Sequence, residues 1–309
     1  MTDHLRNYWV GVAITLSLLA GMIACKKTPP PAPIPITPLQ TLVNTDSNLT
    51  LFHRMLLQAN DTRLLADDSV TLLLPTNAAF RTAGYSEVII DSLSATFCDR
   101  MIRYQYMSGH IAPDSAVYTP FPTLLGHSIY GMHDSAGIFR FNATTTAGPA
   151  TAVGKAWVYR LTGIIQSASD SLSYLLGTDS TLTFMAEVLL RTNLYDSILL
   201  AGNYTLLAPD NNAFIQAGYD SIGAIDSADI NILFQLAQSQ VLKGIWFTNS
   251  FPAQTTIPNL SGGSVTVNSG NGSWQFMGSG NPSPVNWLGG NWVSGNSLVV
   301  HKVDGIISP

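Results

Sequence analysis

The chain repeats itself, and that limits what it can fold into more than any motif does. Ser47–Asn60 (SNLTLFHRMLLQAN) aligns without gaps with Ser180–Asn193 (STLTFMAEVLLRTN), an offset of 133 residues. Thr71–Phe80 (TLLLPTNAAF) recurs as Thr205–Phe214 (TLLAPDNNAF), and Ala83-Gly84-Tyr85 recurs as Ala217-Gly218-Tyr219. Both copies end alike, Val158–Ile165 (VYRLTGII) against Val300–Ile307 (VHKVDGII), now offset by 142 residues. A repeat of this length is a normal domain, so the chain divides into residues 39–166 and 167–309. Gln166 to Ser171 leaves little room for a linker, which predicts two domains in near-rigid tandem.

Each copy opens on an amphipathic helix, because Leu49, Phe52 and Leu56, like Leu182, Met185 and Leu189, recur at i, i+3, i+7. Ser47 and Ser180 stand where an N-cap belongs. The second match reads as a short buried strand halted by Pro75 or Pro209, followed by a helix that Thr76 or Asp210 can cap and Phe80 or Phe214 can anchor. Helical patterns continue over Leu93–Met107 and Ile230–Leu242. The last third of each copy is Gly, Ser, Thr, Asn and β-branched, which predicts strands and turns. The expected class is α+β with segregated elements.

The N-terminus is an address rather than a fold. Residues 1–24 have a short polar start and an apolar run from Tyr8 to Ala24, the anatomy of a signal peptide. The run ends at Met22-Ile23-Ala24-Cys25, which resembles a bacterial lipobox with Met22 in place of the usual Leu; Cys25 would then carry acyl chains, the firm anchor that a single chain does not provide. Residues 25–38, with the Pro-rich stretch KKTPPPAPIPITP, read as an extended tether. With Cys25 lipidated, Cys98 has no intramolecular partner and reads as a buried thiol.

Charged residues are 11% of the chain, with 14 Lys and Arg against 19 Asp and Glu. No basic stripe exists to neutralise a phosphate backbone, so nucleic acid is excluded as a partner. The hydrophobic fraction of 46% excludes disorder. Glu87 and Glu187 are the only glutamates.

The paired boxes resemble the fasciclin-type domain, twice over. Its first box resembles Thr71–Phe80 and Thr205–Phe214, including Pro75, Asn77 and Phe80 and their counterparts Pro209, Asn211 and Phe214. Its closing box is matched by Val299–Ile307 with His301, Asp304 and Gly305, whereas the first copy has Tyr159 and Thr162 for the His and Asp. The family's central Tyr-His pair falls on Tyr104-Gln105 and Ser239-Gln240, so the His is absent from both copies. The resemblance implies a β-sheet wedge with helices along one side, adhesion or matrix and glycan binding, and no enzymatic activity or cofactor. The Asp-Ile dipeptide associated with integrin contact in animal members has no counterpart near Trp292-Val293 or Ala150-Thr151, so that partner is not carried over.

No Gly-x-Ser-x-Gly elbow, phosphate-binding Gly-rich loop or His-Glu-x-x-His occurs, and catalysis lacks its minimal constellations. His110, His127 and His133 lack Cys or Glu neighbours and read as turn or surface residues, with no metal site. Asp-Ser followed by Val, Leu, Ala, Thr or Ile recurs at Ser69, Ser92, Ser115, Ser135, Ser171, Ser180, Ser197, Ser221 and Ser227, against about one or two Asp-Ser pairs expected by chance. The plain reading is caps and turns, as beside the helix start at Asp91-Ser92; the sharper one is an O-glycosylation sequon of Bacteroidota type. Asn259–Asn296 carries Trp274, Trp287 and Trp292 among glycines and asparagines, either as packing between strands or as stacking platforms for sugar rings.

Together these readings predict a lipid-anchored envelope protein of a Bacteroidota-like bacterium, on the outer membrane, that binds a glycan or an envelope or extracellular protein without catalysis. An accessory lipoprotein of a glycan-uptake system and a purely structural spacer are the alternatives. An exposed aromatic patch would distinguish binding from spacing.

Overall fold

A computed structural model describes residues 36–66, 69–134, 136–169, 171–195, 202–270 and 273–308. The signal peptide, Cys25, nearly all of the tether, Ser135 and Ser197 lie outside them. In the first repeat the order is α1 (Pro38–Thr45), α2 (Thr50–Gln58), a 3-10 turn (Thr62–Ala66), β1 (Val70–Pro75), α3 (Asn77–Thr82), α4 (Glu87–Ser92), α5 (Ala95–Tyr104), β2 (Tyr106–Ser108), β3 (Thr119–Pro122), β4 (Ser128–His133), β5 (Phe139–Phe141), β6 (Thr144–Thr145), β7 (Thr151–Val153) and β8 (Ala156–Leu161). The second has α6 (Leu172–Gly177), α7 (Thr183–Arg191), β9 (Tyr204–Pro209), α8 (Asn211–Gln216), α9 (Ile222–Ser227), α10 (Ile230–Ser239), then β10 (Val241–Lys243), β11 (Thr255–Pro258), β12 (Ser264–Gly270), β13 (Ser273–Gly278), β14 (Val285–Ser294) and β15 (Leu298–Val303). The fold is α+β, with the helices of each repeat packed on one face of its sheet.

The centre of each repeat is one parallel pair. β1 lies parallel to β8 and β9 parallel to β15, and the short β2 or β10 flanks the inner strand antiparallel. Leu72 and Leu74 with Val158, and Leu206 and Ala208 with Val300, face the helices. Leu73 with Tyr159, and Leu207 with Val303, face the opposite layer. Burial on both faces is why these strands read as continuous apolar runs.

The repeats differ in that opposite layer. In the first, β3-β4-β5-β6 is a separate four-stranded sheet joined to β2-β1-β8-β7 by the bridge Thr146↔Leu161. In the second, the ten-residue β14 runs through both layers and unites all seven strands. It bends by register shifts at Trp287/Gly289 and Gly290/Trp292.

The first-box asparagine ties the helices to this pair. Asn77 Oδ1 accepts from Leu51 N (3.0 Å), and its Nδ2 donates to Ser47 O (2.8 Å) and Thr50 Oγ1 (2.9 Å). Asn211 repeats the pattern with Phe184 N (3.0 Å), Ser180 O (3.1 Å) and Thr183 Oγ1 (3.0 Å). This corrects the expected caps. The N-cap positions of α2 and α7 are Leu49 and Leu182, which offer no side-chain acceptor. The free helix N–H groups are met from outside, while Ser47 and Ser180 contribute backbone carbonyls. Thr76 and Asp210 do cap α3 and α8, accepting from Ala79 N (3.3 Å) and Ala213 N (2.9 Å).

Two further corrections concern helix ends. The helical patterns over Leu93–Met107 and Ile230–Leu242 stop at Tyr104 and Ser239, because Gln105 and Gln240 end the helices and give their carbonyls to Leu73 N and Leu207 N. The residues that follow join the sheet as β2 and β10. Asp91-Ser92 closes α4 rather than opening a helix; the next N-cap is Ser94.

A salt bridge also repeats. Arg160 on β8 pairs with Asp46, and Lys302 on β15 pairs with Asp179 at 2.9 Å. Asp46 is held below the usual carboxylate range by the Asn48 N–H and by Arg160. At the equivalent surface between helices the repeats diverge. Arg54 binds Asp91 through two nitrogens in the first, whereas Glu187 faces Asp226 in the second. Burial, and then the Asp226 charge, raise the Glu187 carboxyl above its ordinary range.

Two stability changes follow. Asn77→Ala leaves the Leu51 N–H unpaired in a buried site, and urea unfolding is expected to show a loss of about 2–3 kcal/mol, larger than for the more open Asn211→Ala. Glu187→Gln is expected to raise the unfolding midpoint at pH 7 by the equivalent of about 0.5 kcal/mol, because a carboxyl with a raised folded-state pKa destabilises the fold once ionised. That gain should vanish near pH 4.

Candidate functional site

The closing segment of the second repeat forms, in three dimensions, a buried histidine surrounded by aromatics. His301 on β15 is fully buried. Its Nδ1 accepts from Trp287 Nε1 at 3.1 Å, so its Nε2 must carry the proton and donate to Trp246 O at 2.8 Å. Phe251 lies over it with ring centroids 5.3 Å apart, and the same phenyl ring contacts Trp274 (5.4 Å) and Phe276 (5.2 Å). β14 can cross this close only at Gly290, which has φ +140; a Cβ there would lie 2.6 Å from His301 Cα. Burial pushes the His301 pKa down to about 4, partly opposed by the Trp246 carbonyl. Asp304 holds the end of β15 by accepting from Asn286 N (2.6 Å) and Nδ2 (2.7 Å), and Gly305 leaves room for Val285.

In the first repeat Tyr159 takes the place of His301, packed against Phe139 and Phe141. Tyr104 is buried, donates to Ser128 O (2.9 Å) and accepts from Asn142 Nδ2 (2.9 Å). The glutamines that end α5 and α10 bond the closing segment of each repeat. Gln105 Nε2 donates to Ile165 O (2.8 Å), and Gln240 both donates to Ile307 O (3.0 Å) and accepts from Ile307 N (2.9 Å). An amide can meet both backbone groups at once, as the Gln240 bonds show.

The three predicted tryptophans do not form one patch. Trp274 and Trp287 pack on the apolar cluster of the second repeat's strand layer, together with Trp246, which the sequence reading did not single out. Trp292 packs instead beside the helix-facing core. All are half-buried.

The described Asp-Ser serines serve helix ends and turns. Ser171 and Ser221 are N-caps, Ser92 and Ser227 bond carbonyls in the last turns of α4 and α9, and Ser115 Oγ accepts from Val117 N. Ser180 gives its carbonyl to Asn211, and Ser69 is exposed just before β1. Cys98 is buried in the first core. His110 stacks on Trp157 and His133 on Phe139, and among the described residues no three metal-ligating side chains converge.

The larger surprise is the seam between the repeats. Phe247 of the second repeat inserts between Tyr118 and Tyr130 of the first, with centroids 4.7 and 5.9 Å away. Tyr118 OH donates to Asn249 Oδ1 (2.8 Å), Asn296 Oδ1 accepts from Ser128 N (2.8 Å), and Ser169 pairs with β14 through Val293 O and Gly295 N. One apolar cluster therefore spans both repeats.

Two cavities lie along this seam. One of about 750 Å³ is lined by Tyr85, Phe97, Arg100, Met101, Tyr174 and Leu175, with hydroxyl-bearing neighbours. The other, about 280 Å³, is lined by Asn142–Thr144 and Ile164–Gln166 from the first repeat and linker, and by Thr248 and Gly290–Trp292 from the second. Of the latter set only Trp292 was a sequence-level candidate. The Gly289-Gly290-Asn291 run, typical of a bulge, was the available signal for its neighbours.

Residues 180–309 match the family model described as Fasciclin domain. No curated protein matches the chain. Among solved structures, the chain is similar to the domain pair of the insect cell adhesion molecule fasciclin I, at 11% identity and a TM-score of 0.40, covering 84% of this chain and 96% of that one.

The histidine generates a pH test. An unfolded histidine titrates near 6.5. With its folded value lowered to about 4, His301 leaves stability intact above pH 6.5 and removes it as pH falls from 6.5 towards 4, by on the order of 3 kcal/mol in all. His301→Gln should flatten that part of the stability-against-pH curve relative to wild type, and the His301 ring carbons should stay at neutral NMR shifts at pH 5.

Proposed function

We propose that the chain is a lipid-anchored, non-catalytic binding protein of the cell envelope, whose two fasciclin-type repeats contact glycan or protein partners. The Fasciclin domain match over residues 180–309 carries this reading. The first repeat supports extending it, since it shares the strand order around the parallel pair, the asparagine clamp and the Asp–cation bridge. The lipobox-like Ile23-Ala24-Cys25 and the Pro-rich tether support an acylated anchor on the outer membrane. The low charge suits neutral partners better than ionic ones.

The reading makes a joint demand on anchor and binding. In the native bacterium the wild-type protein is expected to incorporate a fatty-acid label and sediment with membranes, and Cys25→Ser to lose the label. The purified intact protein should bind members of a glycan array or an envelope protein in crosslinking. A Cys25→Ser protein that keeps its label, or an intact protein with neither kind of partner, would refute it.

A further inference from the structure

We infer that the smaller seam cavity is a binding site for a single neutral sugar residue, formed jointly by both repeats. This rests on the glycan-binding part of the reading above and names its location. The first observation is chemical. The side chains of the lining residues Asn142, Thr144, Gln166, Thr248, Asn291 and Trp292 combine amides, hydroxyls and one indole, with no ionisable group among them. Amides and hydroxyls exchange hydrogen bonds with sugar hydroxyls, and an indole face suits the C–H face of a pyranose; phosphates, cations and carboxylates find no counter-charge. At about 280 Å³ the space falls just below the usual range of roughly 300–1,000 Å³ for drug-sized ligand sites, which suits a ligand no larger than one six-membered ring.

The second observation is conformational. Six described residues other than glycine have positive φ, and three of them, Asn142 (φ 45), Ala143 (φ 68) and Asn291 (φ 63), line this one cavity beside Gly290. Asn60 and Asn193 are the equivalent residues just after α2 and α7, where left-handed backbone is ordinary. Asn142 and Ala143 are the two central residues of the hairpin turn between β5 and β6, which requires positive φ at both. Asn291 stands in the register shift between Gly290 and Trp292, so a hairpin turn and a bulge, both ordinary for this backbone, set the walls of the cavity.

The third is preorganisation. Asn142 is fixed by Tyr130 N and Tyr104 OH, and Asn291 by Thr248 and by its own N–H to His301 Nδ1. Among the described residues the Thr144 hydroxyl, the Gln166 amide and the Trp292 indole N–H have no hydrogen-bond partner. A rim whose two asparagines are already fixed binds with a reduced ordering cost, confined mainly to the exposed Gln166 side chain.

The test uses the intact detergent-solubilised protein and the methyl glycosides of glucose, galactose, mannose and N-acetylglucosamine, read by saturation-transfer NMR and tryptophan fluorescence. At least one glycoside is expected to bind, with affinity falling about tenfold in Thr144→Val/Gln166→Ala, whose sites are partly open and whose fold is checked by circular dichroism. Trp292→Phe should weaken it while retaining some transfer. Trp274→Ala should leave it unchanged. If sugar binds but responds to Trp274→Ala and not to the seam variants, the seam site is overturned and the broader glycan reading stands. If no glycoside and no array glycan binds to the folded protein, both fall.

Discussion

The structure depends on meeting the backbone groups of a helix that cannot cap itself. α2 and α7 begin after leucines that the core claims, so their first N–H groups have no local acceptor. Asn77 and Asn211 supply it from the loop after the central strand, fastening that helix to the sheet at the point where the strand is stopped by proline. A short carboxamide is suited to this because it accepts and donates at once. Asp at the same position could accept but not donate to Ser47 O or Ser180 O. The first helix, the central strand and the second helix are thus fixed together, and the parallel partner strand then has only one side left to join.

The repeat was legible because these demands are local. The strand, its terminal proline, the capping residue and the anchoring phenylalanine stand within ten residues of one another, and their spacing survives in both copies. What was not legible depended on contacts across the fold. Ser47 and Ser180 look like caps in one dimension, but an amide 30 or 31 residues away takes the role. The helix ends at Gln105 and Gln240 are set by β1 and β9, and an apolar pattern of 3.6 periodicity continues through them into strands. Three tryptophans close in sequence are divided between two cores because β14 bulges between Trp287 and Trp292, shifting which face each side chain meets.

Duplication has kept the parallel pair and the helices clamped to it, and altered what they carry. Arg160–Asp46 and Lys302–Asp179 keep the same geometry with different cations, while Arg54–Asp91 has become the acidic pair Glu187–Asp226. The closing-box position holds a tyrosine among phenylalanines in one copy and a neutral histidine among tryptophans in the other. Such changes are tolerated because these side chains take no part in the asparagine clamp, and the strand positions keep their backbone pairing whatever side chain they carry.

The two copies then meet through surfaces that have diverged, and this is why the seam is unlike either repeat. Phe247 fills a space between Tyr118 and Tyr130 that has to be paired with polar atoms, since burial pushes both phenols up to about 12 and keeps them neutral hydrogen-bonding groups. Tyr118 finds Asn249, and Tyr130 finds the Asn296 carbonyl. The joint is made of neutral donors and acceptors around an aromatic plug. It also holds the turn at Asn142-Ala143 and the bulge at Gly290-Asn291 in left-handed backbone on opposite sides of one small cavity. Neither repeat alone supplies both walls, so a ligand seated there would sense whether the tandem is assembled, which a ligand on the outer tryptophans would not.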